Sequence, residues 1–204
     1  FITKVKIHSM VVTLATLSLY RGIAYVLLGD KAVTGFPVEF MYLGQGYVGN
    51  SPVPFELVLF AVLAVACGVV LHKTKYGRYI YAIGNNETAA RYSGIPVDRI
   101  KLVLFTTVGL ISAIAGILFI SRVGVCRPDL GDQFLFEIVT IVLLGGVSIN
   151  GGEGSIVGVV LSLFLIGLTR YGMILVNIRA PVINIVIGSM FLVPRFTRLV
   201  SKEG

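Results

Sequence analysis

The stretch from Leu102 to Ser121, LVLFTTVGLISAIAGILFIS, carries no charged side chain over about 20 residues, roughly 30 Å of α-helix and the thickness of a bilayer's hydrocarbon core. A soluble domain would have to bury such a segment on every side, and the rest of the chain is not built to do so. Mean hydropathy is +0.92, and charged residues make up 13% of the sequence, about half the share of an ordinary soluble domain. Outer-membrane strands alternate apolar and polar residues over about ten positions, whereas this run is apolar throughout. The fold class is therefore all-α, a polytopic helical membrane protein with about six transmembrane or partly embedded helices. The candidate segments are approximately Ile7 to Leu28, Phe55 to Leu71, Leu102 to Ser121, Phe134 to Ile149, Ile156 to Thr169 and Pro181 to Val193. The last three are short enough to be tilted, re-entrant or discontinuous.

The net charge of +7 does not form the solvated basic stripe of a nucleic-acid-binding face, because the basic residues fall between apolar runs. Membrane topology accounts for them instead. Between the second and third segments, Lys73, Lys75, Arg78, Arg91, Arg99 and Lys101 are opposed only by Glu87 and Asp98, so the positive-inside rule places this loop in the cytoplasm. Gly29 to Pro54, rich in glycine and proline, then lies outside, and Lys4 and Lys6 lie inside. A cytoplasmic tail with Arg195, Arg198 and Lys202 requires an even number of crossings after Lys101, which leaves Arg170 and Arg179 on the external side. Phe1 in place of an initiating methionine, followed within a few residues by an apolar run, reads as the start of a fragment, without the cleavage site of a signal peptide.

The two cysteines, Cys67 in an apolar run and Cys126 in a connecting loop, lack metal-ligand or disulfide-framework spacing. His8 and His72 stand alone beside lysines as interfacial residues. No catalytic or metal constellation is expected: HExxH, GxSxG and paired intramembrane aspartates are all missing from the sequence. Arg21, inside the first apolar segment, either serves a function there or snorkels to the outer interface. Gly109 with Gly116, and the Gly154–Gly158 GxxxG pair, have spacings suited to close helix contact. The GGVSINGGEGS stretch, with Gly145, Gly146, Gly151, Gly152 and Gly154, is either a break between packed helices or a discontinuity beside a translocation path.

The cytoplasmic loop, residues 73–101, is encoded in more detail than a connector needs. Asn86 is a side-chain N-cap, Glu87 suits the positive end of a helix dipole, and Ala89 and Ala90 are strong helix formers. Glu87 and Arg91 form an i,i+4 pair, Gly94 supplies a C′ glycine, and Pro96 prevents continuation. A helix of about two turns should not persist alone in water, so it is held against a partner protein or the lipid interface.

The block GRYIYAIGNNETAARYSGI, Gly77 to Ile95, resembles the cytoplasmic coupling segment of the permease subunits of ribose/xylose-type ABC importers, a family that includes rhamnose and autoinducer-2 permeases. TLATLSLYRGIAYVL (Thr13 to Leu27), GLISAIAGILFISRVG (Gly109 to Gly124) and IVLLGGVSINGGEGSIVG (Ile141 to Gly158) resemble further family blocks. The resemblance implies one transmembrane permease domain over 1–204, the C-terminal part of a longer family domain. It also implies a multi-pass location in the bacterial inner membrane, pairing with a second copy or a paralogue, two cytoplasmic ATPase subunits, and an extracytoplasmic solute-binding protein. The coupling residues would be Gly84, Asn85, Asn86, Glu87, Ala89, Ala90, Arg91, Ser93, Gly94 and Ile95. ATP would be bound by another chain, in keeping with the lack of a GxxxxGK[ST] loop, and no cofactor is expected here. The implied cargo is a monosaccharide or sugar-like solute, and RYGMILVN (Arg170 to Asn177) is closer to rhamnose and autoinducer-2 permeases than to ribose ones.

Three alternatives stand beside this. A branched-chain amino-acid permease shares the importer architecture. A secondary transporter is suggested by the faint similarity of KTKYGR to a major-facilitator turn, although Glu39, Glu56, Asp129, Asp132, Glu137 and Glu153 all fall in loops or at segment ends. A membrane-embedded enzyme has no motif to support it.

Overall fold

The computed structural model describes residues 9–29, 31–49, 52–132, 134–179, 182–183 and 185–190. The expectations for Lys4, Lys6, His8, Pro194, Arg195, Arg198 and Lys202 fall outside them. The chain divides into two compact units, the described residues of Phe1–Leu63 with Pro96–Gly131, and of Ala64–Ile95 with Asp132–Gly204.

Among the described residues four helices are long and apolar enough to cross a membrane: α1 (Ser9–Leu28), α3 (Phe55–Lys73), α6 (Val97–Val123) and α8 (Ile156–Leu175). In α1, α3 and α6 none of the apolar window is buried within the chain. These side chains face outward, as helices in lipid do, where there is no hydrophobic drive to hide them. The all-helical expectation holds, with a small addition in the first unit: β1 (Val33–Thr34) pairs antiparallel with β2 (Val125–Cys126). Cys126 therefore sits in a strand and not in a loop.

Within that unit, α2 (Val38–Gln45) docks on α6. Pro37 starts it with its fixed φ of −57°, and Gly46 ends it. Gly44 lies directly on the backbone of α6: a Cβ there would come within 2.8 Å of the Leu118 carbonyl oxygen and the Ser121 carbonyl carbon. Fully buried Ser121 completes the joint, its hydroxyl donating to the Phe40 carbonyl at 2.6 Å and accepting from the Gly44 N–H at 2.8 Å. Arg122 donates to the Gly44 carbonyl and forms an ion pair with Glu56 at 3.2 Å.

The second unit contains the end of α3, α4 (Lys75–Asn85), α5 (Glu87–Tyr92), α7 (Phe134–Leu144) and α8. Its core is Ile141, Ile166, Ile183 and Ile187. Only residues 182–183 and 185–190 of the segment expected at Pro181 to Val193 are described, and they are helical.

Several boundaries differ from the sequence expectation. The segment expected at Phe134 to Ile149 ends as a helix at Leu144. Gly146 takes a left-handed φ of +85°, and the N–H groups of Gly146 and Val147 turn back to the carbonyls of Leu143 and Val142, the Schellman closure that a glycine at C′ permits. At about 1.5 Å per residue α7 is only about 16 Å long, half a hydrocarbon core, in keeping with the short re-entrant or discontinuous alternatives for this segment. α6 begins at Val97 and not at Leu102, because its first turn carries Asp98, Arg99 and Lys101. Arg170 lies inside α8, and not beyond it.

Candidate functional site

The basic loop of residues 73–101 holds two helices where the sequence analysis anticipated one. α3 turns into α4 through a single residue, Thr74, whose side-chain oxygen caps α4 by accepting from the Gly77 N–H. Gly77 is buried at this corner, with its α-carbon against the Leu71 backbone where no Cβ would fit. α4 is amphipathic: Tyr79, Ile80 and Ile83 are half-buried, and Lys75, Arg78 and Asn85 are exposed. The spacing of Tyr76, Tyr79, Ile80 and Ile83 is the i, i+3, i+4, i+7 signature of such a helix, a signal that was open to sequence reasoning and passed over.

Asn86 is at once the C-cap of α4 and the N-cap of α5. Its backbone N–H donates to the Ala82 carbonyl at 3.1 Å, and its side-chain oxygen accepts from the Ala89 N–H at 2.9 Å. Glu87 and Arg91 form their i,i+4 ion pair at 3.5 Å. Ser93 donates to the Ala89 carbonyl. Gly94, at φ +80°, donates to the Arg91 carbonyl, and Ile95 reaches back to the Ala90 carbonyl at 3.2 Å, a complete Schellman closure. Ala90 is buried, whereas Glu87, Thr88, Ala89, Arg91, Tyr92 and Ser93 are all exposed. A rigid six-residue helix thus presents nearly all its side chains outward from its unit.

The glycine-rich stretch lies against this segment. Gly84 and Asn85, at the end of α4, meet Gly151 and Gly152 backbone to backbone. A Cβ on Gly151 would stand 3.0 Å from the Gly84 carbonyl oxygen, and one on Gly152 would stand 2.9 Å from the Asn85 backbone. Gly151 and Gly152 have φ of +87° and +78°, conformations that glycine adopts without steric cost. The Tyr81 hydroxyl donates to the Gly154 carbonyl at 2.7 Å. On the far side of the loop, Gly145 of the α7 terminus packs on Gly158 and Val159 of α8, where a Cβ would fall 2.7 Å from the Val159 backbone. Gly154 adjoins the Val147 side chain. Gly84 and Asn85 of the coupling segment and Gly151 and Gly152 of the glycine loop, assigned separately from the sequence, are therefore in direct contact. A cleft of about 230 Å³ lies beside it, lined by Leu71, Ile80, Tyr81, Val147, Ile156 and Val159 among others.

Other candidates lie elsewhere. A Cβ at Gly109 or Gly116 meets nothing within 4 Å, so the close helix contact anticipated for that pair is not made among the described residues. α6 is buried only toward its ends, at Val97, Ile100 and Ser121. Gly146 likewise touches nothing at its Cβ position and acts as a helix stop. The Arg21 guanidinium lies 5.9 Å from the centre of the Tyr25 ring, one turn toward the C-terminal end of α1.

One pair was missed. Arg170 of α8 bonds Glu137 in the first turn of α7, and both side chains are at most about one-third exposed. Its members are 33 residues apart, so only the folded chain brings them together.

Long outward-facing apolar helices, a basic segment folded into a presented helix, and a glycine-packed hairpin describe a polytopic helical membrane protein. The chain belongs to the family described as branched-chain amino acid transport system / permease component, whose model matches residues 1–194. It is similar to the ribose import permease protein RbsC of Bacillus subtilis, 37% identical over 194 residues, covering 94% of this chain and 60% of that protein. It is also similar to the autoinducer 2 import system permease protein LsrD of Escherichia coli K12, 36% identical over 202 residues, covering 96% of this chain and 61% of that one. LsrD of Shigella flexneri matches to the same extent. The chain thus spans about three-fifths of the length of these curated relatives. No solved structure matches it.

Proposed function

We propose that this chain belongs to the transmembrane subunit of an ATP-binding-cassette importer that carries a monosaccharide or sugar-like solute, of the ribose or autoinducer-2 class, into the cytoplasm. The observation that carries the reading is α5. Six residues are capped at Asn86, closed at Gly94 and exposed on almost every side chain, although a helix this short gains little from its own hydrogen bonds. Such a helix is built to be received by something outside the chain. In a permease family whose named relatives import ribose and autoinducer 2, the receiver is a cytoplasmic ATPase subunit, with α5 docking in a cleft on its surface. The chain itself is a transport component and not an enzyme, and it binds no cofactor of its own; ATP is bound and hydrolysed by the partner. A second permease copy or paralogue completes the pathway, and an extracytoplasmic binding protein delivers the solute. The relatives' names favour the sugar class over a branched-chain amino acid.

The experiment replaces Glu87, Ala89 and Gly94 together in the full-length protein and measures capture of the ATPase and uptake of labelled ribose. Loss of both is expected. Undiminished capture and ATP-dependent uptake would reject α5 as the docking element.

A further inference from the structure

The contacts of the second unit converge on one place. α5 has no linker to absorb movement, because Asn86 alone separates it from α4 and caps both helices. α4 in turn meets the loop between α7 and α8 at three points: Gly84 on Gly151 and Gly152, Asn85 on Gly152, and the Tyr81 hydroxyl on the Gly154 carbonyl. The first two are backbone against backbone, with no side chain to flex. The loop is then fixed to both helices of the hairpin, through the closure after Leu144 on one side and through Gly145 on Gly158 and Val159 on the other. Beside these contacts lies the 230 Å³ cleft, lined by Ile80 and Tyr81 of α4 and Val147 of the loop among others.

We propose that this clasp of Gly84 and Asn85 on Gly151 and Gly152, locked by Tyr81 on Gly154, is the element that carries a displacement of α5 into the α7–α8 hairpin. The inference rests on the reading that α5 meets an ATPase. Gly84, Gly152 and Tyr81 are positioning residues, acting through the hairpin and not on the solute. Close-packed contacts transmit displacement because they cannot compress, and a coupling route of this kind stands or falls on showing that one end responds to the other.

Amide hydrogen exchange on the full-length protein in lipid nanodiscs gives that test without a known solute. Exchange is followed at 86–95 and at 145–158, with and without the ATPase subunit trapped with ATP and vanadate. In the unaltered protein the trapped ATPase protects 86–95 and shifts exchange at 146–154 by about fivefold or more, the scale of a local opening equilibrium being biased. In Gly84→Ala the same protection at 86–95 persists, since alanine favours α4 as a helix, but the shift at 146–154 falls below about twofold. Tyr81→Phe, which adds no bulk, reduces the shift partially. Gly167→Ala, on α8 with nothing within 4 Å of its Cβ position, leaves it unchanged. Protection at 86–95 with no response at 146–154 in the unaltered protein overturns the clasp while leaving the docking reading intact. An equal response in Gly84→Ala and Tyr81→Phe also overturns it. Absence of protection at 86–95 removes the docking reading and the clasp with it. Should Gly84→Ala prevent ATPase capture, Tyr81→Phe decides: a reduced shift supports the clasp and a full one rejects it.

Discussion

Replacing Asn86 and Gly94 by alanine attacks both ends of α5 without altering the side chains it presents. Asn86→Ala removes the bond its side-chain oxygen accepts from the Ala89 N–H at 2.9 Å, but the backbone N–H that closes α4 on the Ala82 carbonyl remains. Loss of such a cap costs about 1 kcal/mol. Gly94→Ala forces a Cβ into φ +80°, which costs about another 1 kcal/mol for an L-residue and frees the Schellman bonds to the Arg91 and Ala90 carbonyls. No neighbour lies within 4 Å of the added methyl, so the cost is conformational and not a clash. The two sites are at opposite ends of one short helix, and their combined destabilisation is about 2 kcal/mol. If the ATPase receives α5 as a formed helix, that energy is taken from binding, and affinity falls by about 30-fold for the double variant and about fivefold for each single one. Titration of the ATPase onto nanodisc-embedded protein measures this directly, with amide exchange over 86–95 confirming that α5 has frayed. A frayed α5 that binds within twofold of the unaltered protein would refute the docking of a preformed helix.

Further substitutions probe the packing. Gly145→Val inserts a side chain where a Cβ already falls 2.7 Å from the Val159 backbone, and overpacking should cost about 1–3 kcal/mol, read as a lower melting temperature in detergent. Gly172→Ala, on α8 in open space, should leave that temperature unchanged. Glu137→Gln leaves Arg170 without its carboxylate; discounting a buried-pair loss for the one-third exposure of Arg170, the cost is about 1–2 kcal/mol, and an Arg170→Gln, Glu137→Gln double variant should recover part of it in a double-mutant cycle. Ser121→Ala removes the hydroxyl that serves both Phe40 and Gly44 and should cost about 1–3 kcal/mol for the unsatisfied groups left behind, seen as faster proteolysis around 31–49.

What the sequence made legible was local. Asn86, the Glu87–Arg91 pair and Gly94 interact within four residues of themselves, so residue type and spacing were enough to place α5 before its coordinates were known. Apolar length located the four long helices for the same reason. α4 was equally local, but its Lys75 and Arg78 drew attention to charge and away from the tyrosine and isoleucine period. α7 was overextended because Val147 and Ile149 continue its apolar run after Gly146 has turned the backbone. The remaining contacts have no local signature. Tyr81 and Gly154 are 73 residues apart, and nothing in GGVSINGGEGS says which glycine will face Gly84. Glycine spacing in α6 is likewise no guide to a partner: Gly109 and Gly116 satisfy a packing motif and meet no other described residue.

The joint between α4 and the glycine loop is made of main-chain atoms, and this divides the segment into parts with different freedom to change. Glu87, Thr88, Arg91 and Tyr92 point outward and can be exchanged without disturbing Gly84, Gly151 or Gly152. A chimera that imports only the outward side chains of a relative's α5 should therefore change which ATPase is accepted while the hairpin beneath stays as it is. The outward side chains are free to vary, while Gly84, Gly151 and Gly152 each have backbone where a Cβ would stand.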